Sequence, residues 1–245
     1  MALHFLLDDP TDARVGDTVT LTGSEAHHAA AVRRVRPGEQ VTVGDGRGAW
    51  LTGECEAVTP REVVVRITDR IDTPAATPRI VLAQALAKGD RDELAVQAAT
   101  ELGVDEIVPW QAARSISRWD SAKAAKGRTR WAAIVREAAK QAHRAWIPDV
   151  AALETTAALA ARGAASVVVV LDPSAARRLT ELGLRADDPR DLVLVVGPEG
   201  GIAPEELEAF ERSGATLARL GDTVLRTSTA GPAALAVVSA ALRRW

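Results

Sequence analysis

The stretch Asp191-Leu192-Val193-Leu194-Val195-Val196-Gly197-Pro198-Glu199-Gly200-Gly201 decides the fold of this chain. Its first half is an unbroken β-branched and leucine run, the pattern of a strand buried on both faces of a parallel sheet rather than one with a wet face. Its second half is a glycine-rich turn at the strand's carboxyl end, where open α/β sheets place their ligand crevice and where glycine lets main chain approach a ligand closely. A second glycine-bearing loop, Leu220-Gly221-Asp222-Thr223-Val224-Leu225-Arg226-Thr227, ends the next apolar run.

Outward from that stretch, strands alternate with helices. Ile80–Leu86, Glu106–Trp110, Val167–Leu171, Leu192–Val196 and Thr216–Leu220 read as strands; Asp92–Leu102, Arg128–Ala145, Ala175–Leu182, Pro204–Arg212 and Ala230–Arg244 read as helices. This is the order of an α/β parallel sheet. Residues before it read differently. Asp17–Leu21, Glu39–Val43, Ala49–Val58 and Glu62–Thr68 alternate like half-buried strands, Gly44–Gly48 is a hairpin connection, and Ser24 is a good N-cap for a helix ended by Pro37-Gly38. A small β-barrel domain over residues 1–72 and an α/β domain over 79–245 follow, with the proline-bounded Ile71–Pro78 as linker.

Composition narrows the function. The 245 residues are 47% hydrophobic, enough for a substantial core. The lone Cys55 cannot close an internal disulfide, no apolar run reaches the ~20 residues that span a bilayer, and His4, His27, His28 and His143 lack metal-ligand spacing. The expectation is a cytoplasmic protein with no metal and no membrane partner. No Walker loop, nucleophile elbow or Gly-x-Gly-x-x-Gly fingerprint is present, which disfavours ATP hydrolysis, acyl transfer and hydride transfer. The net charge of −3 hides an uneven distribution: residues 111–145 carry 9 Lys/Arg against 2 Asp/Glu. Within the helix read there, Arg130, Arg136, Lys140 and Arg144 fall in an arc of about 120°, opposite Trp131, Ile134, Val135, Ala138 and Ala142. A one-signed face on an acidic chain is the footprint of a polyanion contact.

The two glycine loops, together with His28, Val32-Arg33-Arg34-Val35, Pro37-Gly38, Asp45-Gly46, Lys88-Gly89-Asp90, Glu101-Leu102-Gly103-Val104, Arg114, Gln141, Arg144 and Pro148, resemble the signature of the RsmE-type family over nearly the whole chain. These are SPOUT-class methyltransferases of uridine N3 in 16S ribosomal RNA. The resemblance implies a SPOUT-type parallel sheet with a C-terminal trefoil knot, preceded by a PUA-like β-barrel domain. It also implies S-adenosylmethionine as cofactor, 16S rRNA or the assembled small subunit as partner, and a homodimer. Four positions depart from the family pattern: Ser228 stands where an acid is usual, Ala98 for Lys, Ala113 for Glu and Ala203 for a capping Ser.

On this resemblance the cofactor site comprises Leu171, Val196, Gly197, Pro198, Glu199, Gly200, Gly201, Leu220, Gly221, Val224, Leu225, Arg226 and Thr227. Uridine N3 must lose a proton as it attacks the methyl group, which calls for a proton acceptor and a cation beside the uracil oxygens. Arg226 suits the cation, since its planar fork can pair with a uracil edge; Glu199 is the acceptor considered, although a carboxylate opening a helix also caps it. Arg33, Arg34 and Arg36 in the barrel, with Arg114, Arg118, Arg130, Arg136, Lys140 and Arg144, are the expected RNA contacts, and Trp119 is a candidate to stack on a base. The apolar stripe Ala233, Ala234, Val237, Val238, Ala241 and Leu242 is the expected dimer face. Two other readings share these residues: a SPOUT methyltransferase with another RNA target, and an RNA-binding assembly protein that has lost its chemistry along with the acid at position 228.

Overall fold

The computed structural model describes residues 3–245, which form two compact units. The first runs through Ala75 and also takes in Ala139–Ile147; the second holds Ala76–Ala138 and Pro148–Trp245.

In the first unit the chain forms β1 (Leu3–Leu6), β2 (Thr18–Leu21), α1 (Gly23–His27) with a π-helical turn at His28–Val32, β3 (Gln40–Gly44), β4 (Ala49–Val58) and β5 (Val63–Asp72). These strands make one sheet in the order β1-β3-β4-β5-β2, parallel between β1 and β3 and antiparallel elsewhere. Alternation decides what it buries: Val41 and Val43, Leu51 and Cys55, and Val63, Val65 and Ile67 all face one core with Phe5, Leu21 and Ala29. Two expectations are corrected here. Ile71 and Asp72 are not linker, because they pair with Trp50 and Ala49 at the end of β5. The helix near Ser24 starts at Gly23 after Thr22 without a side-chain cap, and only five residues of it are α-helical. Strand β1 gave no signal of its own; four residues of Leu-His-Phe-Leu become a strand only through the distant β3.

The second unit contains β6 (Ile80–Ala85), α2 (Arg91–Glu101), β7 (Glu106–Gln111), α3 (Ser121–Gln141), β8 (Asp149–Val150), β9 (Glu154–Thr155), α4 (Thr156–Ala161), β10 (Val167–Leu171), β11 (Leu192–Val196), α5 (Pro204–Arg212), β12 (Thr216–Ala218) and α6 (Thr227–Ala241), the last three residues of α3 being counted with the first unit. The sheet is parallel throughout, in the order β12-β10-β11-β6-β7-β8, with β9 also on β7. Every residue of β6 and β11 is buried, as an unbroken apolar strand between two helical layers requires. Phe210 of α5 meets the fully buried Trp110 edge-on at 5.7 Å.

Three helices differ from expectation by three residues or more. Helix α3 begins seven residues before Arg128, where Asp120 accepts the Lys123 N–H at 2.9 Å in the manner of an N-cap, and it stops at Gln141 because His143 takes a positive φ of 54°. Ala175–Leu182 is not a helix beyond a 3-10 turn at Leu179–Glu181. Arg219 is the reason: its guanidinium binds the carbonyls of Ala175 and Ala176, and its main chain pairs with Arg177 and Leu179. Helix α6 starts at Thr227, three residues early.

Candidate active site

The carboxyl ends of β10, β11 and β12 open into a cavity of about 430 Å³. Leu171, Val196, Leu220 and Leu225 wall it, and every residue expected at the cofactor site except Gly200 lines it. Gly200 instead faces Arg114: a Cβ there would lie 3.3 Å from the Arg114 Cβ, while Arg114 Nη1 donates to the Gly200 carbonyl at 3.2 Å. The glycines that the loop requires are its neighbours. A Cβ on Gly197 would stand 2.6 Å from Ile202 Cγ1, and Gly201 has a φ of 73°.

The floor is tied by a buried chain of hydrogen bonds. Gln84, at the end of β6, donates from Nε2 to Thr227 Oγ1 at 2.9 Å, and Thr227 Oγ1 donates to the Gly197 carbonyl at 2.8 Å. The first residue of α6 is thereby fixed to the loop that follows β11. Behind the loop, the buried Glu206 accepts from Ala203 N (3.1 Å), Ala113 N (2.9 Å) and Thr156 Oγ1 (2.6 Å). It caps α5 by reaching back, which is how the helix starts without a side-chain cap at Ala203.

Of the five charged residues at the cavity, four have different fates. Glu199 accepts from Lys88 N at 3.0 Å and from Arg91 Nη1 at 2.8 Å. Burial alone pushes its carboxyl up, but main-chain N–H groups of its own residue and Lys88, with Arg91, outweigh that and hold it below the usual carboxylate range. So held, Glu199 bridges the segment after β6 to the loop after β11. Arg91 is its partner, and Arg219 is engaged with carbonyls. Arg226 is exposed on the cavity wall as the N-cap residue of α6; among the described residues it is the lining cation whose side chain has no partner. Ser228, which stands where the family pattern has an acid, is not among the lining residues.

Arg91, Gln84 and Glu206 escaped the sequence reading, because each acts through a residue more than 90 positions away. The Ala203-x-x-Glu206 spacing at the start of α5 carries no hint of the Ala113 contact.

The expected RNA contacts divide likewise. Arg33, Arg34 and Arg36 are exposed, without ion pair or hydrogen bond from their side chains among the described residues; Arg34 sits at a φ of 56°. Arg114 and Arg118 are exposed on the turn between β7 and α3. Arg130 pairs with Glu93 at 2.7 Å, Arg136 is half-buried, and Arg144 lies past the end of α3. Lys140 is a correction: it is buried, its Nζ lies 2.7 and 2.8 Å from the two carboxylate oxygens of Glu25 and 3.0 Å from His28 Nδ1, and no phosphate can reach it. Trp119 meets Trp131 edge-on at 5.4 Å. On α6, Ala234, Val238 and Leu242 are buried in the unit's own core, which leaves Ala233, Val237 and Ala241 for any outer face.

Comparison with known proteins agrees with this layout. Residues 74–239 match the RNA methyltransferase domain family and residues 21–68 the RNA methyltransferase PUA domain family. A ribosomal RNA small subunit methyltransferase E from Mycobacterium bovis is 42% identical over all of this chain and 94% of its own length; one from Bacillus subtilis is 31% identical over 91% of this chain and 90% of its own. The crystal structure of a ribosomal RNA small subunit methyltransferase E from Neisseria gonorrhoeae bound to S-adenosyl methionine superposes with a TM-score of 0.86 at 30% identity, covering 98% of both chains. Parallel sheet, loop cavity and PUA domain together define an RNA methyltransferase. Within that class, the chain belongs to the ribosomal RNA small subunit methyltransferase E family.

Proposed function

We propose that this chain transfers the methyl group of S-adenosylmethionine to N3 of a uridine in 16S ribosomal RNA of the small subunit, with the cofactor held where β10, β11 and β12 end. One observation carries the reading: the loops that resemble the family signature converge on a single cavity in a chain whose S-adenosyl methionine-bound relative superposes over 98% of its length. The cavity falls within the range of about 300–1,000 Å³ usual for small-molecule sites. Leu171, Val196, Leu220 and Leu225 would flank the purine ring, and the main chain from Gly197 to Gly201 would supply polar partners. When bound, the cofactor supplies an activated methyl group.

The protein's own residues must orient the uridine and stabilise the charge that spreads onto its oxygens as N3 gives up its proton. Arg226 fits that task, since its fork is uncommitted at the cavity wall and strengthens its bonds as charge develops. Glu199 and Arg91 hold the loops in register. We assign RNA docking to the first domain, residues 1–72, through Arg33, Arg34 and Arg36, and to Arg114, Arg118, Arg130, Arg136 and Arg144; chemistry belongs to residues 79–245. A C-terminal knot and a homodimer seated on the outer face of α6 complete the proposal. No helix among the described residues is long and apolar enough to cross a membrane; work on ribosomal RNA in the cytoplasm is part of the proposal.

The test is methyl incorporation into small subunits from cells lacking the enzyme, with the modified uridine mapped. Arg226→Ala should keep cofactor binding and lose about 10²-fold or more in single-turnover rate, or roughly 3 kcal/mol for one charge-stabilising donor. Arg226→Lys should recover little of it. A near-wild-type rate for Arg226→Ala would return this residue to a structural role.

A further inference from the structure

A second cavity, of about 440 Å³, lies where the turn before α3 passes the start of α2, and Arg118 and Arg130, assigned to RNA docking above, are among its lining residues. Trp119 forms part of its wall. The indole meets Trp131 at an interplanar angle of 70° and passes so close to α3 that a Cβ on Gly127 would stand 2.4 Å from the ring. Glycine inside a helix is about 1 kcal/mol less favourable than alanine. Here that cost goes with the placement of a half-buried tryptophan beside a cleft.

The charges around the ring are not evenly committed. Lys126 lines the cavity, is exposed, and has no partner among the described residues. Arg118 gives one hydrogen bond, from Nη2 to the Ala113 carbonyl at 3.0 Å, and keeps the rest of its fork. The acidic groups are taken: Glu93 by Arg130, and Asp92 by the main-chain N–H groups of Ala87 and Glu93. An aromatic wall with two available cations is what a nucleotide asks for, a π-face for the base and positive charge for its phosphate. A concave site of this kind accepts an unstacked base and excludes a duplex.

Its position points the same way. The segment from Ala87 to Glu93 borders both cavities, with Arg91 on the active-site side and Gly89, Asp92 and Glu93 on the other. Arg114, four residues before Arg118, holds the Gly200 carbonyl of the active-site loop.

We infer that this second cavity holds a nucleotide of single-stranded RNA flanking the uridine to be methylated, its base stacked on Trp119 and its phosphate against Lys126 and Arg118. The inference rests on the proposed RNA substrate and names a subsite for it. Stacking tolerates any base, so the site sets the course of the strand rather than its sequence.

Two measurements on the full chain test it: anisotropy of a labelled hexauridylate, and kinetics of methyl transfer to small subunits. Trp119→Leu should weaken hexauridylate binding about tenfold or more and raise KM for subunits in proportion, with cofactor affinity by calorimetry unchanged; Trp119→Phe should recover most of both. Lys126→Ala, an exposed change that leaves the Trp119 packing intact, should lower the salt slope of hexauridylate binding by about 0.7. Gly127→Ala should displace the ring and mimic Trp119→Leu despite the better helix former. If the wild-type chain methylates subunits and neither Trp119→Leu nor Lys126→Ala alters KM or oligonucleotide affinity, the subsite is refuted while the methyltransferase reading stands. If the wild type transfers no methyl group to subunits, that reading fails, and the hexauridylate arm still decides the subsite: weaker binding in the variants supports it, unchanged binding overturns it.

Discussion

The two glycine loops and the basic face of α3 were equally conspicuous in the sequence, yet the structure treats them differently. From the loops, every expected residue but Gly200 meets around one cavity. The cations of the helix scatter: Lys140 is buried on Glu25, Arg130 is paired with Glu93, and Arg144 is no longer on the helix. A loop of glycines after a buried strand constrains the main chain by itself, so its function follows from local geometry. What a lysine does depends on which carboxylate the tertiary fold brings to it, and helical periodicity carries no information about that.

The sharpest way to break this contrast is Lys140→Ala. Glu25 and Lys140 are both more than nine-tenths buried, so removing the lysine strands a carboxylate in the interior of the first unit. Breaking one side of such a pair costs about 3–5 kcal/mol, and denaturant unfolding should record a loss of that order. RNA binding by whatever remains folded should keep its wild-type salt slope. Unchanged stability with a lower slope would restore Lys140 to the RNA face and undo the contrast.

A second buried group in the same unit should show itself through pH. His4 stacks on Trp50 with ring centroids 4.2 Å apart, and its Nδ1 lies 2.9 Å from Thr42 Oγ1. Burial, then the neighbouring His143 and Lys140, push its pKa down to about 4, against about 6.5 in the unfolded chain. The folded state therefore resists protonation that the unfolded state accepts. Stability is fully present above pH 6.5 and falls progressively toward pH 4, by about 3 kcal/mol in all. His4→Phe should flatten the decline across that window, as measured by denaturant midpoints. A decline equally steep in the variant would assign it to other groups.

What the sequence discloses follows the same division. Val167–Leu171, Leu192–Val196 and Pro204–Arg212 emerge with the bounds their residues predict, because β-branched runs and a proline at the first helical turn act locally. Ala175–Leu182 has the composition of a helix and is mostly not one, since Arg219 captures its carbonyls from 44 and 43 residues away. The active site shows both behaviours. Its walls could be read from the loops, whereas Arg91 and Gln84 become visible only once β6 lies beside β11.

The smallest effect is expected at Glu199, and it separates a clamp from a base. Glu199→Gln keeps the shape and an acceptor oxygen for Lys88 N while removing the charge that Arg91 faces across 2.8 Å. The pair is partly exposed, so its loss is worth no more than about 1 kcal/mol. Because Arg91 and Glu199 both line the cavity, the change should appear as a cofactor affinity weakened by a few-fold in calorimetry. The single-turnover rate at saturating cofactor should stay within about threefold of wild type. A general base, by contrast, contributes about 10²–10⁴-fold, and its amide cannot substitute. Its proton affinity would also govern the pH profile, whereas a carboxyl held below its ordinary range is already ionised at neutral pH and leaves that profile unmoved. A rate lower by 10² with unaltered cofactor affinity would make Glu199 the proton acceptor after all, and Arg91 would then be the group that keeps it ionised.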